Sequence, residues 1–200
     1  MVLGACLAAC GASTATNTDA PPPGQVVGKG LQGLILKQKP APALKLRNYT
    51  GHRVSLSTMR GKAVLVTFVY THCPNVCPLI VSNLAAAYHR LGPLDREVSI
   101  VAVTVDPRRD SPSAVRSFLA ARDANGTMDY LLGSLKQMRR VWKAWDVGVS
   151  VDTKSPIVGH SAIVYGITAS GRVAVVYPSN FSPAQIVHDV PLLLRLDYES

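Results

Sequence analysis

Two of the four cysteines fall in one hexapeptide, Cys73-Pro74-Asn75-Val76-Cys77-Pro78. The spacing puts the sulfurs about one helical turn apart if a helix starts there, close enough to share a metal ion or to close a disulfide. Two chemistries fit. A pair of thiolates is a soft ligand set suited to Cu(I), completed by a third donor. The same pair can cycle between dithiol and disulfide, as a C-x-x-C pair does. A plain structural disulfide or a buried free pair is the bland alternative, and two prolines bracketing the motif at a helix start weigh against it. For the metal chemistry the available imidazoles are His52, His72, His89, His160 and His188. His72 adjoins Cys73, and adjacent residues rarely point into one site. His89 and His188 fall within expected helices and His52 in a turn. His160, in Ile157-Val158-Gly159-His160-Ser161, follows a loop containing Asp, Lys and Pro and leads into a strand. Such a loop can carry it to the cysteines, although residue types alone do not decide that it does.

The elements around the motif set its position. Residues 63–70 (AVLVTFVY) form the continuous apolar run of a strand buried on both faces. The pattern predicts a helix over 78–91, with Pro78 in its first turn and Gly92-Pro93 at its end. Residues 98–105 (VSIVAVTV) read as a second buried strand, closed by Asp106-Pro107. The cysteines thus stand beyond the carboxyl end of a strand, where α/β sheets place their sites. They also stand at a helix N-terminus, whose free N–H groups favour thiolate over thiol. Further elements are a hairpin of 43–47 and 53–57, a helix capped by Ser111 and running to about 122, and an amphipathic helix over 134–145. A second hairpin of 161–166 and 172–177 and a helix from Ser182-Pro183 to about 196 complete the chain. The order predicts an α/β fold, a central mixed sheet flanked by helices and preceded by an extra N-terminal β-hairpin.

A length of 200 residues suits one domain with a sizeable core. Hydrophobic residues at 48% and charged ones at 16% exclude a disordered polyelectrolyte. No apolar run approaches the roughly 20 residues of a membrane span. Four cysteines are too few for a disulfide-stapled miniprotein. The net charge of +9 is concentrated: residues 25–62 hold eight basic side chains and no acidic one. Aromatics, at 6%, do not interleave with that run, which argues against a nucleic-acid partner. Leu7-Ala8-Ala9-Cys10 is similar to a lipoprotein lipobox, with Cys10 the lipidated residue and Cys6 a second candidate. The preceding residues lack a basic n-region. The expected organisation is a truncated lipoprotein-type signal segment (1–10), a Pro-rich and basic tether (11–40) and a domain (41–200). The basic run then lies beside anionic lipid headgroups, or else is a solvated face.

The segments GKAVLVTFVYTHCPNVCP, VTVDPRRDSPSAVRSFLAA, GHSAIVYGITASGRV and YPSNFSPAQIVHDVPLLL resemble, in order and spacing, the Sco (SenC) family over roughly residues 42–196. The resemblance implies a thioredoxin-like fold and a membrane-tethered protein facing the periplasm or its equivalent. It implies copper, as Cu(I) or Cu(II), bound by Cys73, Cys77 and His160, with the cysteines also serving as a redox pair. It implies a role in assembling the CuA centre of cytochrome c oxidase, as copper chaperone or as reductant of the target's cysteines. The expected partners are the oxidase subunit carrying that centre or another copper chaperone, and the membrane surface through a lipid anchor. Two positions depart from the family pattern: Asn75 and Gly159 stand where many relatives carry Asp. A carboxylate beside a ligating imidazole orients it, so the departures bear on metal affinity. The competing functions are an extracytoplasmic thiol–disulfide oxidoreductase in which His160 is incidental, and a redox or copper sensor without metal delivery.

Overall fold

The computed structural model describes Met1 and residues 30–151, 158–160 and 162–196, without the side chains of 151 and 158–160. The segment 1–10, with Cys6 and Cys10, lies outside the described residues apart from Met1, as do tether residues 11–29 and the His160 side chain.

In chain order the elements are β1 (Leu34–Pro40), β2 (Lys45–Asn48), β3 (Arg53–Ser55), β4 (Ala63–Val69), α1 (Val76–Arg90), β5 (Val98–Thr104), α2 (Pro112–Ala120), β6 (Asp129–Leu132), α3 (Leu135–Ala144), β7 (Val149–Val151), β8 (Val158–His160), β9 (Ile163–Ile167), β10 (Arg172–Pro178) and α4 (Pro183–Arg195). One sheet runs β1-β10-β9-β4-β5-β6-β2-β3, and β7 pairs with β8 separately. β4 is its centre, parallel to β5 and antiparallel to β9. All seven of its residues are buried, which explains the unbroken apolar run. Each fully buried Val, Leu or Phe there contributes about 1.5–3 kcal/mol over the exposed side chain. Helices cover both faces, as neighbouring residues of β9 show. The Tyr165 ring packs on Trp145, just after α3, at 5.3 Å between centroids. Gly166 points the other way, towards Leu193 of α4, and the Val175 side chain fills the space its Cβ would take.

The helices begin and end where local chemistry dictates. Ser111 accepts from the Ala114 N–H at the start of α2. Ser134 with Gln137, and Ser182 with Gln185, form capping boxes for α3 and α4. Gly92, at φ +56, turns the chain out of α1. In α1, Cys77, Ile80, Val81, Leu84 and Ala85 form the buried stripe.

Four details differ from the sequence expectation. Helix α1 starts at Val76, so Cys77 is inside it rather than before it. Residues 34–40, read as tether, form β1, paired with β10 along the sheet edge. Its lysines, Pro40 and interrupted register are edge-strand features that mask the strand pattern. Strand β6 has four residues, too few to show a period. Strands β7 and β8, three residues each, flank a segment outside the described residues. The docked position of β1 is reinforced by Asp189 of α4. This fully buried carboxylate accepts from the Gln32 N–H at 2.9 and 3.1 Å and from the Tyr177 hydroxyl at 2.8 Å.

Candidate functional site

Beyond β4 the chain passes through buried Tyr70 and turns, with the Cys73 N–H donating to the Tyr70 carbonyl at 3.4 Å. Asn75 occupies the N-cap position of α1, but its side chain makes no capping bond. The Cys73 sulfur takes that role, accepting from the Cys77 N–H at 3.3 Å. The backbone N–H groups of Asn75 and Val76 also point at it. Free N–H groups at a helix start need acceptors, and here a sulfur supplies one. Pro78, which has no N–H, fits the first turn without loss.

Neither cysteine is in a disulfide; Cys73 is half-buried and Cys77 buried. Burial acts to raise the Cys73 pKa. The Cys77 thiol and the backbone N–H groups of Cys77, Asn75 and Val76, all donating to the Cys73 sulfur, outweigh it and hold Cys73 below the ordinary 9.0. Cys77 behaves oppositely. Burial, then its own hydrogen bond donated to Cys73, push it far above that value, and the nearby Cys73 and Asp110 charges add to the shift. The pair is therefore asymmetric, one accessible sulfur inclined to thiolate and one enclosed thiol.

Behind the pair lies Asp110, buried in the loop after β5. Its Oδ1 accepts from the Thr71 N–H at 2.9 Å and the Thr71 hydroxyl at 2.7 Å. Its Oδ2 accepts from the Thr104 hydroxyl at 2.6 Å and the Tyr130 hydroxyl at 2.8 Å. Burial and Asp110 together raise the Tyr130 pKa well above its ordinary value, so the phenol stays a donor. The same loop joins β4 directly, through the Val105 N–H and the Val69 carbonyl at 2.9 Å. Arg122 stacks on the Phe118 ring with 3.9 Å from its central carbon to the centroid. Burial lowers its pKa, while the charges of Cys77 and Cys73 act the other way.

The histidines separate by position. His52 pairs with the Thr50 hydroxyl in the β2–β3 turn, and exposed His72 with the Thr71 hydroxyl. His89 contacts the Asp123 carbonyl near the far end of α1, and His188 pairs with Asp189 on α4. The backbone of His160 pairs with Val149. Register places this segment: Thr67 is opposite Val164, and the Thr67 hydroxyl donates to the Ile163 carbonyl at 3.0 Å. The chain just before Ile163 thus leads past the carboxyl end of β4, the end from which the cysteine loop departs. Among the described residues no three His, Cys, Asp or Glu side chains gather as a metal site. The two sulfurs form a partial soft donor set.

Asp110, Thr71, Tyr130 and Arg122 were not singled out as site residues from sequence. The available signal was Asp110 itself, four residues after the Asp106 that ends a buried strand, since an acidic group at a strand end invites buried donors.

Under native conditions iodoacetamide is expected to modify Cys73 at least about tenfold faster than Cys77. The Cys73 rate should rise with pH and reach half its maximum below pH 9.0. Peptide mass mapping over time checks both, and first modification at Cys77 would contradict the assignment. Asp110→Ala strands the Thr71, Thr104 and Tyr130 donors, and should cost about 3 kcal/mol or more in urea unfolding. A loss under about 1 kcal/mol would show that the carboxylate does not organise the loop.

A SCO1/SenC family model matches residues 36–195. A Stutzerimonas stutzeri protein named for copper binding is 27% identical over 146 residues, 72% of this chain and 68% of that protein. The mitochondrial SCO2 homolog of Danio rerio is 29% identical over 154 residues, 72% of this chain and 53% of that protein, so the chain spans about half of this relative's length. The structure of ScoI from Bradyrhizobium japonicum with copper bound superposes with a TM-score of 0.69 at 25% identity, covering 78% of this chain and 99% of that one. The thioredoxin-like sheet with helices on both faces, and the match along nearly all of the folded domain, establish that the chain belongs to the SCO1/SenC family.

Proposed function

We propose that the protein binds copper through Cys73, Cys77 and His160 and serves the assembly of the CuA centre of cytochrome c oxidase. The observation that carries this reading is the dithiol Cys73/Cys77 pair at the start of α1, with the Cys73 sulfur drawn towards thiolate by the Cys77 thiol and backbone N–H groups. Two soft sulfurs suit Cu(I), and an imidazole completes a low-coordinate set. The backbone course of His160 towards the same end of the sheet supports it as the third donor. The copper-bound ScoI structure and the copper-binding name of the Stutzerimonas stutzeri protein support copper as the metal. Copper is then cargo, held for delivery to the oxidase subunit or received from another chaperone.

The asymmetry of the thiols favours a second role on the same residues, reduction of the target's cysteines. The Cys73 thiolate attacks one sulfur of a target disulfide. A mixed disulfide forms and one target thiolate leaves. Cys77 then gives its proton to solvent and attacks the Cys73 sulfur, releasing the second target thiolate. Two electrons pass to the target, and Cys73–Cys77 becomes the disulfide. The proposed location is the extracytoplasmic face of the membrane, held there by a lipid on Cys10. Among the described residues no helix is long and apolar enough to cross a membrane. The exposed Lys37, Lys39, Lys45, Arg47, Arg53 and Arg60 suit proximity to anionic headgroups.

Reduced protein titrated with Cu(I) against a competing chelator should take up a stoichiometric ion. Cys73→Ser or Cys77→Ser should abolish uptake. His160→Ala should weaken it by at least about tenfold, with the Cys73/Cys77 midpoint potential little changed. No uptake by the wild type would end the copper reading. Uptake indifferent to His160→Ala would leave the oxidoreductase as the better account.

A further inference from the structure

A cavity of about 270 Å³ lies between the loop after β5, helix α3 and β7, lined by Val105, Asp106, Pro107, Arg108, Leu135, Arg139, Trp142 and Val149. Its wall is the loop that continues into Asp110, whose carboxylate holds Thr71 two residues before Cys73. Its far side is Val149, the backbone partner of His160. The cavity is thus bordered by a loop tied through Asp110 to Thr71 and by the backbone partner of His160.

The lining is apolar at the floor and cationic at the rim. The Trp142 indole N–H is committed to the Thr104 carbonyl at 3.0 Å, which fixes the ring as a wall with Val105 and Leu135. Arg108 and Arg139 are exposed and make no ion pair or hydrogen bond among the described residues. Asp106 is already paired with Arg109. Helix α3 adds Lys136, Arg140 and Lys143 and carries no acidic residue. Free guanidinium groups favour carboxylates through paired N–H donors, and an apolar floor between them accepts an aliphatic or aromatic side chain.

We infer that this cavity docks an acidic segment of the partner protein, with carboxylates on Arg108 and Arg139 and an apolar side chain between them. The assignment rests on the reading of Cys73 and Cys77 as an exchange site used with a protein partner, yet it is separable from copper binding itself. It uses a different part of the +9 charge from the basic run at residues 25–62.

The test is fluorescence anisotropy of a fluorescein-labelled peptide alternating Glu and Leu, with its Lys-for-Glu counterpart as control, added to the reduced full chain. The acidic peptide should bind and the basic one should not. Arg108→Glu with Arg139→Glu should weaken binding at least about tenfold, because charges meeting at an interface repel strongly when one is reversed. Lys37→Glu with Lys39→Glu makes the same charge change on β1, at the opposite side of the sheet order, and should alter binding by no more than about twofold. Equal weakening by the two double variants would show bulk attraction and overturn the assignment, as would no binding of the acidic peptide. Cu(I) uptake measured on the same wild-type sample keeps the two claims apart. Peptide binding that depends on Arg108 and Arg139 stands even if uptake fails, and loss of that dependence overturns the docking site even if uptake is found.

Discussion

One buried carboxylate organises the site end of this protein. Burying an ionisable oxygen pair costs several kcal/mol unless donors surround it. Asp110 is surrounded by a backbone N–H and three hydroxyls. Thr104 ends β5, Tyr130 belongs to β6, and Thr71 follows the residue after β4. Satisfying one charge thus locks the ends of three adjacent strands to the beginning of the cysteine loop. With Thr71 fixed, the turn through Tyr70 delivers the Cys73 sulfur to the first turn of α1. The placement of both sulfurs descends from this constraint and from the buried rigidity of β4.

The pair that results is chemically uneven. Cys73 faces solvent and backbone donors, whereas Cys77 is the first member of the buried stripe of α1. One reachable sulfur can begin an exchange while the other is shielded from chance oxidation. The surface charge divides in parallel. The basic run at residues 25–62 supplies β1, the first hairpin and the chain leading to β4, and a second set of cations, Arg108 with those of α3, lies around the cavity after β5. A single net charge conceals two faces with different expected contacts.

Much of this was legible in the residues. The unbroken run at 63–70 announced the central strand, since β4 is covered on both faces. Ser111-Pro112, Ser134 and Ser182-Pro183 marked helix starts, the cap at Ser111 forms as read, and Ser134 and Ser182 cap their helices as well, because capping is a local interaction. The cysteine motif stood out through spacing and flanking prolines. What was not legible depends on distant partners. β1 is held by β10, about 140 residues on in the chain, and by the Asp189 contact to Gln32, and neither is visible in LILKQKP. The start of α1 at Val76 depends on a sulfur accepting backbone hydrogen bonds, which propensity rules for caps do not include. The importance of Asp110 comes from four donors on three separate segments, brought together only by the sheet.

The central proposal is that Cys73, Cys77 and His160 together hold copper. X-ray absorption at the copper edge on the Cu(I)-loaded protein, with His160→Ala beside it, reads the ligands directly. The account predicts sulfur scatterers from both cysteines plus a nitrogen scatterer with the multiple-scattering signature of imidazole, and loss of that signature in the variant. A first shell of sulfur alone, identical in wild type and His160→Ala, would contradict it.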